Sequence, residues 1–176
     1  MARAVFLDRD GVINGVVLRG GRPGSPRLLS EFEIDAGVSP PLERLRDAGF
    51  RLFVITNQPD IARGLLRPPI LEQMNQQMLA QLPVEAVLVC PHDDGDGCGC
   101  RKPQPGMLHK LAESEHFDLG QCFMIGDSWR DMGAARAAGC TAIILDRNYN
   151  HTEDAEFRVR NLDEAVQLII KSINHE

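Results

Sequence analysis

The run Asp8-Arg9-Asp10-Gly11 sets two carboxylates two positions apart. In an extended backbone such a pair points to one side, so one acid can attack phosphorus while the other manages protons. Gly11 lets the chain turn away at once. A carboxylate nucleophile gives an aspartyl-phosphate, which divides one difficult displacement into two easier ones. The same pattern also occurs in surface turns and calcium loops, so its meaning depends on what lies downstream. Gly126-Asp127-Ser128-Trp129-Arg130-Asp131 supplies a second acid pair. Beside Asp8 and Asp10 these anions would repel unless a cation held them, and an all-oxygen ligand set suits Mg²⁺. Asp131 alone would equally fit the first turn of a helix, where the dipole favours an acid. Thr56 and Asn57 offer a hydroxyl and free backbone N–H groups to phosphate oxygens. Lys102 offers the positive charge that the equatorial oxygens of a phosphoryl transition state require. Taken singly, the threonine could merely end a strand and the lysine could be solvated.

A second cluster has different chemistry. Cys90-Pro91-His92, followed after five residues by Cys98-Gly99-Cys100, brings three thiols and an imidazole into one short loop. Four such ligands favour tetrahedral Zn²⁺, and a filled shell leaves no position for water, so this zinc is structural. Because Cys100 precedes Arg101 and Lys102 directly, fixing the cysteine would fix the lysine beside the phosphate. Cys122 and Cys140 read as small core residues. His109, His116, His151 and His175 show no ligand spacing.

The elements that must position these groups follow from periodicity. Brief apolar runs stopped by turn residues predict strands at 4–7, 52–56, 86–90, 122–125 and 141–145. Helical spacing predicts helices over 40–48, 70–82, 105–116, 130–138 and a last one carrying Leu162, Val166, Ile169 and Ile173. Only 15–30 and 92–105 look irregular for long. Strands alternating with helices imply parallel strands joined by right-handed crossovers, hence an α/β doubly wound sheet. Asp8, Thr56, Cys90 and Asp127 then each lie at the C-terminal end of a strand, and in an open parallel sheet those ends share the ligand-binding edge.

Composition narrows the partner. The chain has 176 residues, 43% of them hydrophobic, which suits one domain with a sizeable core. Its 25 acidic against 19 basic side chains give a net charge of −6, which disfavours nucleic acid and anionic membranes as partners. No run approaches the roughly 20 apolar residues of a membrane span, and MARAVFLDRD meets charge too early for a secretory leader. Expected are a cytoplasmic monomer and a small phosphorylated metabolite as its partner.

Together DRDG, TNQ, the lysine of CRKP and GDSWRD resemble the four signature motifs of the haloacid dehalogenase superfamily, in that family's order, across nearly the whole chain. The resemblance implies a Rossmann-like fold over 1–176 without a large cap domain, and a phosphatase. It implies Asp8 as nucleophile and Asp10 as general acid and base. Mg²⁺ would be held by Asp8, the backbone carbonyl of Asp10 and Asp127, with Asp131 in support, while Thr56 and Lys102 grip the phosphoryl group. The zinc loop at 90–102 narrows the resemblance to the subgroup that includes heptose bisphosphate phosphatases and histidinol-phosphate phosphatases. TNQPDIARG and CRKPQPGML are more similar to the heptose enzymes, although Pro59-Asp60 replaces small residues. The five-residue zinc gap is more similar to the histidinol-phosphate enzymes. Asn57, Arg63 and Arg101 are the implied substrate-binding positions, and Arg101 or one of Arg19, Arg22 and Arg27 could take a second anionic group. Asp93, Asp94 and Asp96 could instead meet an amine, or simply form a solvated turn. Trp129 could cover a sugar ring or have an ordinary packing role. A receiver-type signalling module carries a similar Asp, Thr, Lys and Mg²⁺ set, but a second acid at Asp10, which promotes dephosphorylation, and the zinc loop argue against it.

Overall fold

In the computed structural model, residues 3–151 and 154–173 are described; His175 lies outside them. The short unalternating apolar runs form central strands because helices cover both faces of the sheet. The strands are β1 (Arg3–Leu7), β2 (Val17–Arg19), β3 (Arg22–Gly24), β4 (Phe50–Asn57), β5 (Ala86–Cys90), β6 (Phe123–Gly126), β7 (Thr141–Leu145) and β8 (Phe157–Val159). The helices are α1 (Ser39–Asp47), α2 (Pro68–Gln81), α3 (Gly106–Glu115), α4 (Trp129–Ala138) and α5 (Leu162–Ile173). Six strands make one sheet in the order β5-β4-β1-β6-β7-β8. Every pair in it is parallel.

Alternation along the strands divides the core. Val5 and Leu7 of β1 pack with Leu42 and Leu45 of α1, Met74 and Met78 of α2, and Val166 and Ile169 of α5. Ala4 and Phe6 point the other way, to Leu108 and Leu111 of α3 and Met132 and Ala135 of α4. On that second face Phe53 and Phe117 meet edge-on with ring centroids 5.5 Å apart. Fully burying one such large apolar side chain stabilises the fold by about 1.5–3 kcal/mol.

Two segments depart from the sequence expectation. Residues 15–30 are not irregular throughout: β2 and β3 form an antiparallel hairpin around Gly20-Gly21, both at positive φ (59° and 75°). A two-residue turn with both φ positive matches the twist of its flanking strands, so Gly-Gly was a usable signal hidden among prolines and arginines. The other departure is β8, a three-residue edge strand on β7 whose pattern is too short to show a period. Among the described residues no helix is long and apolar enough to cross a membrane.

Candidate active site

The strand order reverses at β1: the chain builds β4 and β5 on one side, then returns to place β6 on the other. Such a reversal opens a crevice at the C-terminal strand ends. Asp8 follows β1 and Asp127 follows β6, and the Asp8 N–H donates to the Ile125 carbonyl at 2.9 Å, which extends the pairing to the mouth of the crevice. Gly11 turns away with φ of 84°, and a Cβ there would come within 1.9 Å of Asp127 Oδ2. Only glycine lets the first acid motif lie against the second. A cavity of about 290 Å³ results, lined by Asp8, Asp10, Lys102, Asp127, Asp131 and Tyr149 among others.

At its floor Lys102 is buried and donates to Asp8 Oδ1 at 2.8 Å, Asp131 Oδ1 at 2.6 Å and the Ile55 carbonyl at 2.9 Å. Burial alone would favour a neutral amine, but Asp131 and Asp8 outweigh it and hold the ammonium charged. The second oxygen of Asp131 accepts from the backbone N–H groups of Asp127 and Ser128, so this acid both caps α4 and faces the lysine. Asp8, Asp127 and Asp131 each offer an oxygen within 4.8 Å of the others. Burial and then Asp131 push Asp8 well above the usual carboxylate range, and the same two causes push Asp127 up to about 7. Three crowded acids facing one ammonium form a donor set that a divalent cation fits, because it relieves the remaining repulsion.

The Asp10 side chain is not in this cluster. Its Oδ1 accepts from Asn14 at 2.9 Å, and its Oδ2 accepts from Ser25 at 2.8 Å and Gln58 at 2.9 Å. The buried Arg9 guanidinium forms an ion pair with it at 3.0 Å. Burial raises the Asp10 pKa, but Arg9 and the donors from Asn14, Ser25 and Gln58 more than offset this, so the net shift is downward.

The other expected positions separate. Thr56 is buried and its hydroxyl accepts from Gln58 at 2.9 Å, away from the cavity lining. Asn57 does line the cavity, but its amide brackets the Lys102 backbone, donating to the carbonyl and accepting from the N–H at 3.0 Å each. It positions the lysine. Arg63 pairs with Asp93 at 2.7 Å, and Arg101 with Asp94 at 2.8 Å. Both arginines line an adjoining groove with Arg19, Arg22 and Arg27 rather than the cavity itself. Arg19 is bound to Glu31 and Arg27 to Asp60, each at 2.6 Å.

The thiol loop comes together as its spacing predicts. Cys90 Sγ lies 3.1 Å from Cys100 Sγ and 3.7 Å from Cys98 Sγ, Cys98 and Cys100 are 3.5 Å apart, and His92 Nδ1 is 3.3 Å from Cys100 Sγ. A tetrahedron with Zn–S bonds of about 2.3 Å has edges near ~3.8 Å, so the donors stand where one zinc ion would gather them. Cys122 and Cys140 are buried in the core.

Sequence reasoning missed the loop after β7. Tyr149 donates a short hydrogen bond to Asp127 Oδ2, Asn150 donates to the Asp127 carbonyl at 2.7 Å, and Arg147 donates to the Gly11 carbonyl at 2.7 Å. A loop carrying one acid-binding tyrosine has no local pattern, and only its position beside β6 reveals it. Trp129 is 48% exposed at the cavity rim, with Arg130 stacked 4.7 Å from its ring, so it packs against a neighbouring side chain while keeping a face at the cavity.

The model of the HAD-hydrolase-like family matches residues 99–173. A D-glycero-beta-D-manno-heptose-1,7-bisphosphate 7-phosphatase from Pseudomonas aeruginosa is 37% identical over 151 residues, covering 82% of each chain. Its namesake from Escherichia coli K12 is 36% identical over 82% of this chain and 78% of its own. The crystal structure of D,D-heptose 1,7-bisphosphate phosphatase from Bordetella bronchiseptica, complexed with magnesium and phosphate, superposes with a TM-score of 0.82 at 29% identity. It covers 98% of this chain and 99% of its own. The extent of these likenesses, together with acids and a lysine gathered at the switch point of a parallel sheet, places the chain in the heptose bisphosphate phosphatase family of the haloacid dehalogenase superfamily, as a phosphoric monoester hydrolase.

Proposed function

We propose that this single-domain chain is a magnesium-dependent phosphatase that works through an aspartyl-phosphate on Asp8 and takes a heptose 1,7-bisphosphate. The observation that carries this is the position of Asp8 at the cavity floor, bonded to Lys102 and within 4.8 Å of two further acids. Asp8, Asp127 and the Asp10 carbonyl would hold Mg²⁺, with Asp131 behind them. The ion would neutralise charge on the phosphoryl oxygens. Asp8 attacks phosphorus as the bond to the leaving alkoxide breaks, and Asp10, which must enter this step protonated against the pull of Arg9, gives that alkoxide its proton. Water then attacks the phosphoryl group, Asp10 takes the proton back, and the bond to Asp8 breaks to release inorganic phosphate. Lys102, held by Asn57, keeps its ammonium on the oxygens that gain charge.

The sugar bisphosphate reading rests on the named relatives and on the arginine-lined groove beside the cavity, which suits a second anionic group. An amine substrate such as histidinol phosphate is less well served, because six arginines line the groove against two acids, Asp60 and Asp94, and leave it an excess of positive charge. Zn²⁺ held by Cys90, His92, Cys98 and Cys100 needs thiols kept reduced, which fits a cytoplasmic site of action. The deciding experiment is kcat/KM across the heptose 1,7-bisphosphate, histidinol phosphate and common sugar and nucleotide monophosphates. The heptose ester should lead, and a clear lead for nucleotides would reject the substrate assignment.

A further inference from the structure

The sequence singled out Pro59-Asp60 as a departure from small residues, and the structure gives Asp60 a use. Its side chain is only 8% exposed, yet it is ionisable and sits in the loop after β4 rather than in the acid cluster. Its partner is Arg27, which lies just beyond the β2–β3 hairpin and donates Nε to Asp60 Oδ2 at 2.6 Å. Arg63 adds a weaker contact at 3.4 Å. On the hairpin side, Glu31 accepts from Arg19 at 2.6 Å and from the Arg27 N–H at 2.8 Å, and Arg19 donates to the Ser25 carbonyl at 2.8 Å. This bracing ends at the active site, where Ser25 Oγ donates to Asp10 Oδ2 at 2.8 Å. Pro23, Gly24 and Ser25 form a wall of the same cavity.

We propose that Asp60 is a positioning residue: its ion pair with Arg27 latches the hairpin in place, so that Ser25 holds the Asp10 carboxyl where the leaving group departs. This rests on Asp10 being the acid and base. A nearly buried carboxylate fixes its partner more firmly than an exposed pair does, because little water competes for either charge. Only Pro26 separates Arg27 from Ser25, so loss of the latch is felt at Asp10 without contact between Asp60 and any reacting atom.

The test compares single-turnover rates of Asp60→Asn, Ser25→Ala and the double variant on the heptose 1,7-bisphosphate and on p-nitrophenyl phosphate. The sugar alkoxide needs a proton to leave, whereas p-nitrophenolate does not. Asp60→Asn should slow the sugar ester about tenfold and leave nitrophenolate release within about twofold, and Ser25→Ala, which loses the contact to Asp10 itself, should slow the sugar ester at least as much. The double variant should be no slower than the slower single one, since both changes break one line of contacts. Arg27→Gln approaches the latch from its more exposed side and should reproduce the effect if Asp60→Asn folds poorly. Equal losses on both substrates, or losses that multiply in the double variant, would overturn the latch. Asp10→Asn separates the two ideas: normal turnover of the sugar ester by that variant rejects the acid–base assignment. A slow Asp10→Asn beside a normal Asp60→Asn rejects the latch alone.

Discussion

The chain holds two groups of side chains able to gather a metal, and they are built in opposite ways. The thiol group draws Cys90, His92, Cys98 and Cys100 from one loop of eleven positions. The acid group draws Asp8, Asp127 and Asp131 from two strand ends and a helix, more than a hundred residues apart in the chain. Soft donors at tetrahedral spacing enclose an ion; hard oxygens at the floor of a cavity leave it positions for water and substrate. Their electrostatics differ too. Burial and Asp131 push Asp127 up to about 7, so the acid group is poised to exchange protons for a cation. In the thiol group burial pushes Cys90 up to about 12, whereas backbone N–H groups and the neighbouring thiols bring Cys98 down to about 7 despite burial. Local enclosure suits a brace and long-range convergence suits chemistry, and the two meet at Cys100-Arg101-Lys102.

The strongest way to break this contrast is Asp8→Asn. It should lower phosphate release by about a thousandfold or more and abolish the acid-trapped phosphoenzyme, while zinc content stays unchanged. Cys100→Ser attacks the brace instead. Zinc content by atomic absorption should fall, the melting temperature should drop, and kcat should decrease about a hundredfold as Lys102 loses its anchor. A zinc-free variant with normal kcat would separate the brace from the chemistry.

Proton linkage sharpens the acid side. Because Asp127 is raised to about 7, magnesium must displace a proton below that pH. Calorimetric titration should find Mg²⁺ binding about tenfold weaker at pH 6 than at pH 8. Stability of the metal-free fold runs the opposite way. A raised carboxyl favours the fold below its unfolded pKa near ~4, and that contribution is lost as pH rises through about 7. The metal-free melting temperature should therefore fall over that window, and added Mg²⁺ should restore it. The smallest expected effect belongs to Tyr149→Phe, which removes one hydrogen bond to Asp127 and should weaken Mg²⁺ binding by about fivefold, with zinc retained.

Much of this was legible in the residues. Apolar runs placed β5 and β7 at their observed bounds, and acids at strand ends announced a shared edge because parallel connection makes strand ends converge. The cluster of three thiols and an imidazole was legible for a simpler reason: its members are near neighbours, so spacing alone constrains geometry. Less visible was the division of labour among polar side chains. Thr56 and Asn57 read as phosphate ligands, yet one partners Gln58 and the other brackets Lys102. Arg9, the unspecified residue of the first motif, turned out to be fully buried against Asp10, with Phe32 5.5 Å from its guanidinium.

By itself, then, the order of residues determined the alternation of strands and helices, the edge where the acids gather and the thiol loop, since each follows from local period or short spacing. Tertiary packing alone decided that Asp10 turns from the cluster toward Ser25 and Gln58, that Tyr149 reaches Asp127, and that Asp60 meets Arg27. Those choices depend on which polar groups lose water together, and desolvation is a property of the folded neighbourhood that no stretch of sequence carries.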